Sequence, residues 1–127
     1  MNINEVIETL KKQYPGKKII LNSKENLTEI LCEVDPTSLH SEKSIAIVVI
    51  DIMEPHYHNE ATEIYEVVKG QLTLVIDGKP QMLNVGQSAT IFPGQIHSAI
   101  GDETWVKVIS KPGWTKKDHV LVENKNL

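Results

Sequence analysis

Chemistry in this chain is most concentrated where His56 and His58 flank Tyr57 at the end of a long apolar run, with Glu63 five residues beyond and His97 another 34 residues on. On an extended chain, residues two apart point to the same face, so the two imidazoles of an HxH pair converge on one point. Glu63 would face away on a straight strand, so the residues from Asn59 to Thr62 must turn or bulge. His97 joins the group only if the fold lays its strand alongside. Three neutral imidazoles and a carboxylate form a mixed nitrogen and oxygen donor set for one divalent ion, Zn, Fe, Mn, Ni, Co or Cu, with zinc bonds of roughly 2.0 to 2.2 Å. Read alone, the HxH pair equally describes two exposed strand histidines, or one core histidine and a surface partner.

The elements that must position these groups read as strands. The segments 18–21, 28–34 and 44–53 are rich in Ile, Val and Leu, and the third reads as a buried strand. Residues 71–76 and 80–83 flank Asp77-Gly78, a strong short hairpin signal. Further short strands are expected at 89–92, 97–100 and 105–110, broken by Gly86, Pro93-Gly94 and Gly101-Asp102. Ahead of them, Val6, Ile7 and Leu10 recur at helical spacing until Pro15-Gly16, which predicts one amphipathic helix over 4–14. Many short strands punctuated by turns mean a sandwich or barrel. Glu123 to Leu127 are polar and expected to fray.

Composition narrows the partners. A chain of 127 residues has room for one core, and its net charge of -4 with scattered lysines speaks against nucleic acid or an anionic membrane. All thirteen basic residues are lysine, so no guanidinium fork is available for phosphate or carboxylate. Cys32 is the single cysteine, which leaves no disulfide and suits a small core residue in a reducing cytoplasm. The N-terminus lacks the plan of a signal peptide, and no apolar run approaches the ~20 residues of a membrane span. His40 and His119 lie in polar surroundings and are expected in solvent; Phe92 is expected to pack beside His97, and Trp105 and Trp114 to fill core or interface, with Trp114 able to fold across a barrel mouth.

The stretch from His56 to Gly101 resembles the cupin superfamily. Its first motif has two histidines one residue apart, a glutamate three or four residues later and a glycine after six more; here these are His56, His58, Glu63 and Gly70. In the second motif, Gly86, Gly94 and His97 stand at the expected spacing. Three positions depart: Ile50 where the first motif opens with glycine, Phe92 in the usual proline slot with Pro93 beside it, and Gly101 for the closing asparagine.

The resemblance implies an all-β fold, a cupin jelly-roll β-barrel (a single double-stranded β-helix) with a short N-terminal α-helix. Residues 1–43 would supply the helix and leading strands and 44–122 the barrel, as one domain overall. It implies a metal on His56, His58, Glu63 and His97, and alternation then turns Tyr65 and Val67 inward with Glu63, and Gln95 and Ala99 inward with His97. Tyr65 and Gln95 are the substrate-pocket candidates, against a packed tyrosine and an exposed loop amide. A homodimer is expected from similar small cupins. Three functions stay open: a metal-dependent enzyme on a small polar molecule, as a sugar-like isomerase or epimerase or a dioxygenase; a non-catalytic module that binds a small molecule through the metal; and a metal-binding structural dimer with no physiological small ligand.

Overall fold

A computed structural model of the chain describes residues 1–122; residues 123–127, where fraying is expected, lie outside them. The elements in order are α1 (Ile3–Gln13), β1 (Lys18–Leu21), β2 (Glu29–Asp35), β3 (Ser44–His58), β4 (Thr62–Lys69), β5 (Leu72–Ile76), β6 (Lys79–Leu83), β7 (Ser88–Ile91), β8 (His97–Lys111) and β9 (His119–Leu121), with one 3₁₀ turn (Lys116–Asp118) before β9. All pairings are antiparallel. The path β1-β2-β3-β8-β4-β7 is extended by β5 on β8, β6 on β5 and β9 on β3. This is the expected jelly-roll β-barrel with its short N-terminal helix.

Two strands, β3 and β8, run through the whole barrel, and each has to bend. Their mutual register shifts between Ile50 and Ile52 and again between Met53 and His56, as bulges do when they re-aim side chains. Ala46, Val48 and Ile50 meet the barrel core, then Met53, and then His56 and His58 are buried. The two segments expected at 97–100 and 105–110 are one continuous strand, bulged at Gly101 to Glu103. The turn signal there is real, but it is spent on a kink. A Cβ at Gly101 would lie 2.6 Å from Thr104 Oγ1 and 2.8 Å from the Ile50 carbonyl oxygen, so only glycine lets β8 bend this close to β3. At the β5–β6 hairpin, Asp77 and Gly78 both have positive φ, 48° and 79°, the two left-handed residues of a type I′ turn.

The apolar residues divide between two faces. Inside the barrel lie Tyr65, Val67, Leu72, Leu74, Ile91, Ala99 and Val106 with the β3 residues. Outside, α1 lays Val6 and Leu10 on Ile30, Cys32, Ile47, Val49 and Trp105, so Cys32 and Trp105 are core fillers as expected. Because Ile30 and Cys32 face the helix, their β2 neighbours Glu29 and Leu31 face the barrel. Asn2 caps the helix by accepting from the Glu5 N–H. No helix among the described residues is long and apolar enough to cross a membrane.

Candidate metal centre

β3 brings His56 and His58 to the barrel wall, β4 brings Glu63 and β8 brings His97; all four are buried at 1 to 2% exposure. One donor atom from each lies within 4.8 Å of every other. Donor atoms ~2.1 Å from a common ion stand roughly 3 to 4 Å apart, so the spacing suits one ion. The 34-position separation of Glu63 and His97 is bridged because β4 and β8 pair directly, and the start of β8 pairs His97 with His56.

Each imidazole is oriented from behind. Nδ1 of His56 lies 2.9 Å from the Glu54 carbonyl oxygen, Nδ1 of His58 3.1 Å from that of Asp118, and Nδ1 of His97 3.0 Å from that of Gln95. A carbonyl only accepts, so each Nδ1 carries the proton and each Nε2 presents a lone pair. Nε2 of His58 and His97 approach Glu63 Oε1 at 3.0 and 3.4 Å. Despite that closeness, none of the three atoms has an aligned hydrogen bond among the described residues. Buried acceptors left in this state cost free energy unless something else satisfies them, and a cation would satisfy all three. The donor set fits a divalent transition metal.

Without a cation the charges tune one another. Burial pushes His56 down to about 3, with the neighbouring imidazoles of His97 and His119 adding to it. Burial pushes Glu63 up, but the close imidazoles of His58 and His97 outweigh it and hold the carboxylate at about 2. His58 is driven down by burial and more than recovered by Glu63 and Asp118, ending above its ordinary value. An anionic Glu63 is the state a cation requires.

The turn between His58 and Glu63 is built around Asp118. Its carboxylate accepts from the N–H groups of Asn59, Glu60 and Ala61 at 2.9, 3.1 and 3.1 Å, while its carbonyl holds His58. Nothing local marks this residue, which acts from 57 to 60 positions away. His119, expected in solvent, instead pairs with His58 across β3 and β9 and stacks on His56, ring centroids 4.1 Å apart and planes 12° apart. Burial pushes it down to about 4, with the charge of His58 adding to it. Trp114 Nε1–H donates to its Nδ1 at 3.2 Å. His40, also expected in solvent, is half-buried and bonded to Asp35 at 2.7 Å, away from the cluster.

Tyr65 does reach the interior beside His97, but its hydroxyl lies 3.4 Å from Met53 Sδ. Burial, then the charge of Glu63, pushes this phenol well above its ordinary value. Gln95 precedes β8 and turns back, its Oε1 accepting from the Phe92 N–H at 2.8 Å, so its side chain braces a loop. Phe92 is 58% exposed and does not pack beside His97, because the turn it opens projects from the strand end.

A cavity of about 230 Å³ opens beside His56, lined among others by Asn22, Ser23, Asn26, Glu29, Glu54 and His119. A narrow inner extension shares Glu29, Met53, His56 and His119 with it and reaches Glu63 and Tyr65. Glu29 was missed in the sequence, although strand alternation against Ile30 and Cys32 marks it as inward-facing.

The family model for the cupin domain matches residues 46–110, which holds all four candidate ligands. The chain belongs to the cupin family. Solved cupin-fold structures share its architecture at low identity. Pac13, described as a nucleoside dehydratase, has a TM-score of 0.74 at 12% identity over 87% of this chain and 88% of its own. Streptomyces PAC13 variants have been solved with uridine. KdgF from Halomonas sp. has a TM-score of 0.64 at 18% identity, over 72% of this cupin and 87% of its own chain. Oxalate decarboxylase from Bacillus subtilis, a protein with Mn(II) centres, has a TM-score of 0.67 at 14% identity, over 86% of this cupin but 31% of its own chain. No curated protein sequence matches this cupin.

Proposed function

We propose that His56, His58, Glu63 and His97 hold one divalent metal ion, and that this cupin is a metal-dependent enzyme acting on a small polar molecule that enters through the cavity beside His56. The observation that carries this reading is the set of three imidazoles with Nδ1 committed to carbonyls, next to an acceptor-only Glu63 with no aligned partner. When bound, the ion would supply Lewis-acid polarisation of a substrate oxygen. Glu63 is spent as a ligand and is a poor free base, so proton transfer falls to other groups lining the cavity. Val48, Met53, Tyr65 and Val108 form the apolar wall of the inner extension and keep bulk water from the buried side of the centre. Among reaction classes we favour proton transfer, as in isomerisation or epimerisation of a sugar-like carbonyl compound, because a carboxyl (Glu29) and an imidazole (His119) share the cavity with His56. The Mn(II) centres of oxalate decarboxylase and the uridine bound by PAC13 support a metal and a small ligand on this fold.

Elemental analysis of untagged protein tests the metal. Near-stoichiometric Fe, Mn, Ni or Zn in the native chain that is lost in His97→Ala is the expected result; equal metal in both would overturn the assignment. Incubating the loaded protein with sugar-like carbonyl compounds in deuterated water should show exchange at the carbon beside the carbonyl. Binding without exchange would make it a binding module, and oxygen consumption with Fe(II) a dioxygenase.

A further inference from the structure

The cavity beside His56 has a charge pattern of its own. Its described lining residues include the carboxylates of Glu29 and Glu54 and no lysine, and the chain has no arginine. The inner extension adds Ser44, Glu63, Ser110 and Trp114, again without a cationic side chain among the described residues. Phosphate and carboxylate groups are usually held by Arg or Lys, or by a helix N-terminus. The one long helix among the described residues, α1, packs on the opposite face of β2 and β3 and cannot serve the cavity.

Its polar groups form a complementary pair. Glu29 gives its N–H to Asn22 Oδ1 at 3.0 Å and leaves its carboxylate unpaired among the described residues as it lines both parts of the cavity. The indole N–H of Trp114 can only donate, so the neutral His119 ring that accepts it at Nδ1 carries its own proton on Nε2. Trp114 therefore positions His119 as a donor in a ring that also lines both parts. A carboxylate acceptor and an imidazole donor on one small cavity suit the hydroxyl groups of a neutral molecule. A volume of about 230 Å³ falls below the ~300 Å³ low end of drug-sized sites and suits a molecule of sugar size.

We propose that this cavity selects an uncharged, hydroxyl-bearing small molecule, read by the Glu29 carboxylate and the Nε2–H of His119, and discriminates against its anionic derivatives. This rests on the metal-dependent reading of the same site. The test uses the full chain loaded with Mn²⁺, with metal content measured on every sample. Calorimetric titrations compare ribose with ribose 5-phosphate, glucose with glucose 6-phosphate, and uridine with uridine 5′-monophosphate. The neutral member of at least one pair should bind, with no gain from the phosphate. Above about pH 7, where the Glu29 carboxyl is ionised, Glu29→Gln should weaken that neutral ligand by about tenfold, the loss of one hydrogen bond to a charged group, and narrow the gap to its phosphate. His119→Ala should weaken it similarly and His119→Gln, which retains an N–H donor, should recover part of the loss, all with metal retained. Phosphate esters binding more tightly in every pair, no neutral ligand binding, or variants that bind as the native chain does would overturn the proposal. A native chain that takes up no metal sinks the metal reading alone, and the same titrations then decide the cavity.

Discussion

Three main-chain carbonyls, of Glu54, Gln95 and Asp118, decide which nitrogen each of His56, His97 and His58 offers. The side chains therefore arrive at the centre as preset donors, and truncating one should strip the ion without unfolding the barrel. Tyr65 is the contrasting case. Among the described residues its hydroxyl makes one aligned hydrogen bond, to the Met53 sulfur, a weak acceptor, so Tyr65→Phe should leave metal content unchanged and shift stability by less than about 1 kcal/mol. Chemical denaturation with elemental analysis checks this. A large loss of turnover in that variant, with metal intact, would instead assign the hydroxyl to substrate.

At the scale of elements, the site depends on turns and bulges more than on the strands themselves. Asp118 ties the 3₁₀ turn before β9 to the three N–H groups of the Asn59–Ala61 turn and to His58. Asp118→Ala removes three charge-assisted bonds while leaving every candidate ligand in the chain. It should cost about 2 kcal/mol of stability and weaken metal binding by about 10- to 100-fold, the usual effect of losing a partner that orients ligands. Urea unfolding and competition with a chelator read the two effects separately. Gly101 is the counterpart on β8. Gly101→Ala must push Thr104 or the β3 backbone at Ile50 aside, which should cost about 2 kcal/mol with the metal site only loosened.

For the whole molecule, the buried titratable groups set how stability responds to pH in the metal-free state. His56 at about 3 and His119 at about 4 protonate far below the 6.5 of the unfolded chain, so both favour unfolding as pH falls from 6.5. Glu29 works the other way. Burial first, then the charges of Glu63 and Glu54, push it from 4.5 up to about 7, so its contribution is present at low pH and lost as pH rises through 7. His58, raised above 6.5, likewise contributes below 6.5 and loses that contribution as pH rises. Glu63, lowered to about 2, contributes above 4.5 and fails only as pH falls through 2. Between 4.5 and 6.5 two imidazoles oppose the Glu29 carboxyl, so stability should climb with pH and then level or decline toward 7. Urea midpoints measured in chelator across that range check the shape; a midpoint that falls from 4.5 to 6.5 would contradict it. Metal at 100 times its Kd should add about 2.7 kcal/mol at neutral pH, a gain absent from His97→Ala.

Much of this was legible in the residues. The spacing of His56, His58, Glu63, Gly70, Gly86, Gly94 and His97 resembles a known pair of motifs, and the Ile and Val runs with Asp77-Gly78 and Pro15-Gly16 delimit strands, hairpin and helix. Such signals are local: each depends on neighbours within a few positions, through backbone preference or strand alternation. Alternation could also have marked Glu29, which shares a face with the lining residue Leu31 across the helix-facing Ile30. The rest belongs to the tertiary structure. Whether Gly101 ends a strand or bends one depends on the Ile50 carbonyl it must approach, 51 positions away in the chain. His119, its Trp114 partner and Asp118 sit in a polar, unpatterned tail, and only pairing of β9 with β3 brings them against His56 and His58. Long-range pairing has no periodicity to read, so the sequence by itself determined the candidate ligands and the barrel, while the folded chain decided what surrounds them.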